Sequence, residues 1–154
     1  MVNTRDRLSA LYTEDFVAWV EETTRLMKAG SIDSLDWPHL IEEIEGLGSE
    51  QKHKVDSYLL QLLIHLLLYR YWNSEREWSG RGWSIEIANF RTQLEILFRS
   101  RTLYNYFQEE IEVIYPKAVK LAAKKSDLPK SLFPETCPFS ADEIMNEDFL
   151  PSIA

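Results

Sequence analysis

A single cysteine, five glycines and six prolines are all that this 154-residue chain holds of the residues that cross-link, hinge or interrupt a backbone. Cys137 alone cannot close an intramolecular disulfide, which points to a reducing, cytoplasmic setting. So little glycine and proline leaves few places for long loops. Long apolar runs are missing as well. The most apolar segment, Tyr58 to Tyr71, is interrupted by Gln61, His65 and Arg70. It falls short of the roughly 20 apolar residues that a membrane span needs, so it reads as a core helix and no membrane insertion is expected. Met1 to Arg7 is polar and lacks the apolar stretch of a signal peptide. No phosphate-cradling glycine-rich loop, no Cys-x-x-Cys pair and no Gly-x-Ser-x-Gly elbow occurs. No catalytic residue, resident metal or cofactor is therefore assigned, and whether the chain is an enzyme stays open.

What is present is ordinary globular composition, 45% apolar and 27% charged. A chain of this length is expected to form one domain and to bury about two-thirds of its unfolded surface. The net charge of -8 argues against a general nucleic-acid coat. That charge is unevenly spread. Asp33, Asp36, Glu42, Glu43, Glu45 and Glu50 lie between Ala29 and Gln51 with no Lys or Arg among them. Lys117, Lys120, Lys124, Lys125 and Lys130 are accompanied by a single acid, Asp127.

Apolar residues recur at helical spacing along most of the chain. A flexible N-terminus over 1–12 is expected to give way to a helix capped by Thr13, with Phe16, Trp19, Val20, Thr23, Leu26 and Met27 as its buried stripe. Gly30 suits a left-handed C-cap. A second helix should open near Asp36, with Pro38 in its first turn and Leu40, Ile41, Ile44 and Leu47 inward, and stop at Gly46 and Gly48. A third should start by Ser49 or Glu50 and, being apolar almost all round from Leu59 to Leu68, sit at the centre of a bundle. Asn73 to Gly82 reads as a polar connection. Trp83, Ile87, Phe90, Leu94 and Leu97 mark the fourth helix, with Arg91 and Glu95 as a surface pair. Leu103, Phe107, Ile111, Ile114, Ala118 and Leu121 mark the fifth, where Pro116 predicts a kink or restart near Tyr115. The bundle is thus expected over 13–126. A proline-rich tail over 127–154 follows, packed on the bundle, with one short helix announced by the Ser140 and Glu143 capping box. The fold class is all-α, a single-domain bundle of about five helices.

Chemical candidates are few. His65 stands among leucines, where an imidazole can be a ligand or base but more commonly satisfies a core hydrogen bond. Glu42 and Glu45 share one helical turn, as carboxylate metal ligands do, and His39 lies three residues before Glu42. Carboxylate-bridged bundles, however, also need Glu-x-x-His repeats that this sequence lacks. Arg81, Trp83 and Arg91 can bind a phosphate and stack a base, or the arginines can neutralise the acidic second helix. Cys137, with no histidine near it in sequence, reads as a packing residue.

Together these segments resemble a family. Leu11-Tyr-Thr-Glu-Asp-Phe-Val-Ala-Trp19 with Leu26-Met-Lys-Ala-Gly30 is similar to the opening of the bacterial family called domain of unknown function 29. Ile41-Glu-Glu-Ile-Glu-Gly-Leu-Gly48 and Leu62-Leu-Ile-His-Leu-Leu-Leu68 resemble its second and central helices. Arg81-Gly-Trp-Ser-Ile85 with Arg91, Phe133-Pro-Glu-Thr-Cys-Pro-Phe139 and Asp148-Phe-Leu-Pro151 complete the series. The resemblance implies an all-helical bundle of bacterial origin, in a family abundant in cyanobacteria, and implies no activity.

Three functions are compatible with this reading. The first is a non-catalytic interaction or structural module, engaging a protein partner or a second copy of itself. The second is a metal-assisted hydrolase or nuclease built from Glu42, Glu45, His65, Arg81 and Arg91. The third is nucleic-acid or anion binding through Lys117 to Lys130.

Overall fold

The structure, a computed structural model, describes residues 3–154. It is all-α, 80% helical with six helices, and no strand occurs among the described residues. In chain order the helices are α1 (Thr4–Glu14), α2 (Phe16–Lys28), α3 (Trp37–Tyr71), α4 (Asn73–Leu97), α5 (Arg101–Ser126) and the short α6 (Ala141–Met145). The chain forms two compact units, Met1–Glu50 and Gln51–Ala154.

The first unit is built on an amphipathic hairpin. Asn3 caps α1, its side chain accepting from the Arg5 amide at 3.3 Å. One extended residue, Asp15, then separates α1 from α2, and its carboxylate accepts from the Ala18 amide at 3.1 Å. Leu8, Trp19, Leu26 and Leu35 form the core, each at most 5% exposed. Gly30 closes α2 at φ 73°, in the left-handed region that a residue without Cβ enters at least cost. The amides of Gly30 and Ser31 return to the carbonyls of Met27 and Leu26 at 3.1 and 2.9 Å.

In the second unit, α3 contributes Val55, Leu59, Leu62, Leu63, Leu66, Leu67 and Leu68, all fully buried. Trp83, Ile87 and Leu94 of α4, with Leu103, Phe107, Ile111, Ile114 and Ala118 of α5, complete that core. After α5 the tail is held by polar tethers. The Tyr115 hydroxyl donates to the Pro134 carbonyl at 2.7 Å, and the Cys137 amide donates to the Glu112 carboxylate at 3.3 Å. Phe133, Phe139 and Ile144 are buried within the same core. The capping box forms, with Ser140 and Glu143 each accepting the other's amide.

Several expectations are corrected. Helix α1 occupies the segment read as a flexible N-terminus, because buried Leu8, with Leu11 and Tyr12 packed beside it, anchors the helix on the core. The cap of α2 is Asp15 rather than Thr13, whose hydroxyl instead donates to the Ala10 carbonyl inside α1. Gly46 and Gly48 do not end a helix, since α3 runs unbroken for 35 residues. Each helical glycine costs about 1 kcal/mol, less than the strong helix formers on either side supply. Asn73 to Gly82 is helical too. A single residue, Trp72, makes the break, and the Arg76 guanidinium folds back onto the Tyr69 and Arg70 carbonyls at the end of α3. Finally, α5 continues through Pro116 with no restart near Tyr115. The proline forfeits one intrahelical bond, while buried Ile114, Tyr115 and Ala118 hold both sides of it in place.

Candidate functional site

The first unit gathers its polar chemistry around Asp36, which is 3% exposed. Asp36 immediately precedes α3, and its carbonyl accepts the Leu40 amide, the first bond of that helix. Its Oδ2 accepts from the indole Nε1 of Trp19 at 3.2 Å and lies 2.7 Å from His39 Nδ1. A carboxylate accepts, so Nδ1 carries the proton. The Tyr12 ring stacks on the His39 imidazole at 3.9 Å between centroids, and its hydroxyl donates to Glu43 at 2.6 Å. That bond, accepted by a carboxylate, pushes the Tyr12 pKa up to about 12. Ser9 Oγ approaches the same Nδ1 at 3.4 Å. A nucleophile relay needs serine and carboxylate on opposite nitrogens of the ring. Here both stand on one, and the cluster orders α1, α2 and the start of α3.

Glu42 and Glu45 of the same unit are exposed. The apolar residues between and beside them are uncovered as well, contrary to the expected inward stripe. Ile41 is 50% exposed, Ile44 59% and Leu47 64%. On α2, Phe16, Val20 and Met27 are likewise exposed, and only Trp19, Thr23 and Leu26 of the expected stripe are buried.

In the second unit His65 is 8% exposed. Its Nδ1 donates to the Gln61 carbonyl one turn back at 2.7 Å, and its ring lies 5.5 Å from that of Phe90. Burial is the main cause of a lowered pKa, opposed by the Gln61 bond. Trp83 is a core residue stacked on Trp72 at 5.6 Å. Arg81 is exposed, at a groove shared with Arg76 and Glu77.

Arg91 departs furthest from expectation. It is 4% exposed and does not form the surface pair with Glu95. Its Nε donates to the Ile144 carbonyl at 2.7 Å, Nη1 to Phe149 at 2.8 Å and Nη2 to Glu143 at 3.1 Å. No carboxylate accepts from it, and desolvation alone lowers its pKa. Arg91 is the clasp of the tail. Among the described residues no three His, Cys, Asp or Glu side chains converge to hold a metal ion, and no helix is long and apolar enough to cross a membrane.

The family model described as Domain of unknown function DUF29 matches residues 11–150. The chain belongs to this family. The DUF29 match takes in Glu42, Glu45, His65, Arg81, Trp83 and Arg91. No curated protein and no solved structure matches the chain. The DUF29 description names no activity. Two associations escaped the sequence reading. Asp36 and His39 stand three apart, a spacing that foretells their contact, but Trp19 and Tyr12 come from another helix. The backbone acceptors of Arg91 leave no trace in the side-chain pattern.

Proposed function

We propose that this chain is a protein-interaction module whose docking face is the first stretch of α3. The observation supporting this is the uncovered apolar series Ile41, Ile44 and Leu47, each at least half exposed. In sequence register the series belongs to a longer one. Ile41, Ile44, Leu47, Gln51, Val55, Leu59, Leu62 and Leu66 follow one another at spacings of three and four. From Val55 onward its apolar members are fully buried, while Ile41 and Ile44 have no cover.

Full burial of a large aliphatic side chain stabilises by about 1.5–3 kcal/mol. Three half-exposed ones therefore offer a partner a few kcal/mol, a fitting scale for a reversible contact. Exposed Glu42 and Glu45 flank the apolar residues, and no Lys or Arg occurs from Ala29 to Gln51. The complementary partner is a segment with an apolar stripe edged by Lys or Arg, which such a border attracts and orients.

The test is a photo-crosslinking residue placed at position 44 in the full chain, with light scattering to read the oligomeric state. A defined cross-linked species that disappears with Leu47→Asp is expected. A monomer at all concentrations, with no cross-link sensitive to Leu47, would sink the proposal.

A further inference from the structure

The second unit carries a groove that its own hydrogen bonding leaves unused. Gln61, Ile64 and His65 of α3 line it together with Leu121, Lys124 and Lys125 of α5, around about 540 Å³. Both lysines are exposed, and no carboxylate among the described residues stands within ion-pair distance of either. Ile64 and Leu121 give the groove an apolar strip, Leu121 being 40% exposed. His65 completes the lining. Its Nδ1 proton is committed to the Gln61 carbonyl, so Nε2 is the nitrogen left with a lone pair.

We propose that this groove binds an oxyanion, phosphate or carboxylate, carried on an apolar stem. Lys124 and Lys125 supply the opposing charge, and the stem lies along Ile64 and Leu121. His65 supplies a response to occupancy. In the free chain burial and the charge of Lys125 disfavour its cationic form, while Glu86 of α4 favours it. An anion beside the two lysines cancels the repulsion, so Nε2 takes up a proton and donates it to the oxyanion. With an oxyanion that stays ionised, the complex holds more protons than the free partners, and binding therefore tightens as pH falls through the imidazole range. The charged groups bearing on His65 are Lys124 and Lys125 from α5 and Glu86 from α4.

The experiment is an NMR titration of the full chain, following the His65 imidazole, with hexyl phosphate as soluble probe. Sedimentation with vesicles containing phosphatidic acid is the membrane arm. A saturable shift of His65 by hexyl phosphate is expected, and hexanoate, which stays ionised throughout this range, should bind roughly threefold more tightly at pH 6 than at pH 8. In the double variant Lys124→Gln, Lys125→Gln, affinity should fall roughly tenfold, as two partly exposed ion pairs imply. Both lysines are exposed, so the variant should fold, which its circular dichroism melt checks. Response to hexyl phosphate alone assigns a free amphiphile, and lysine-dependent sedimentation assigns a lipid headgroup. No response to either probe, equal affinity for inorganic phosphate, or an unchanged affinity in the double variant would overturn the proposal.

Discussion

Removing the Arg91 clasp should loosen the tail before it disturbs anything else in the second unit. The guanidinium makes three hydrogen bonds of 2.7–3.1 Å to the carbonyls of Ile144, Phe149 and Glu143. A hydrogen bond to a charged group contributes about 1.5–3 kcal/mol net, and a carbonyl stranded without a partner costs about 1–3 kcal/mol. The sum is discounted because the tail can shift and rehydrate, which leaves about 3 kcal/mol for Arg91→Ala. At this chain length each kcal/mol moves Tm by roughly 2–4 °C, so a fall of roughly 6–12 °C is expected. Arg91→Lys keeps the charge but loses the planar fork that reaches three acceptors at once, and should forfeit more than half as much. Differential scanning calorimetry measures the shift, and hydrogen exchange at the α6 amides locates it. An Arg91→Ala protein that melts within about 1 °C of the parent, or one destabilised without faster exchange in α6, would refute the reasoning.

Helix α3 offers a test of opposite sign. A Cβ added at Gly46 or Gly48 meets nothing within 4 Å, so each Gly→Ala change should stabilise by about 0.5–1 kcal/mol in denaturant melts. Gly80 contrasts with them, because a Cβ there would approach Arg76 Cγ to 3.0 Å, and its alanine variant should gain less or lose. The lowered pKa of His65 means that the unfolded chain binds more protons than the folded one as pH falls below about 6.5. Its contribution is therefore complete above that value and is lost as pH falls toward the folded pKa. His65→Gln should flatten this part of the stability–pH curve, and an unchanged slope would count against it. Burial pushes the Cys137 thiol up to about 11, with Sγ donating to the Phe139 carbonyl at 3.4 Å. Labelling by iodoacetamide at pH 8 should accordingly be slow in the native chain and fast in urea.

The parts of this fold that were legible in advance are those where apolar spacing and burial coincide. Leu59, Leu62, Leu63, Leu66, Leu67 and Leu68, the α4 stripe through Trp83, Ile87 and Leu94, and the α5 stripe through Phe107 and Ile111 are core residues. Gly30 and the Ser140–Glu143 box also do what their local chemistry requires. Prediction failed where the surrounding helix, by propensity at Gly46 and Gly48 and by buried neighbours at Pro116, overrode local punctuation. Gly46, Gly48 and Pro116 look like stops but are carried through by their helices. It failed in a second way at Ile41, Ile44 and Leu47, since periodicity shows that a face is apolar without saying whether this chain covers it. The site was less legible than the fold. His65 stood out as a lone imidazole, but Lys124 and Lys125 reach its groove from α5, 59 and 60 residues further along the sequence.

Because Arg91 grips only main-chain oxygens, the clasp follows the path of the tail and is indifferent to the side chains displayed there. Exposed Glu147 and Asp148 lie between two of its acceptors, Ile144 and Phe149. Exchanging either of them for another residue should leave the grip intact. Deleting one would break the turn that the Phe149 amide closes on the Asn146 carbonyl at 3.0 Å, and would carry the Phe149 carbonyl away from the guanidinium. In this stretch spelling is free to drift and length is not.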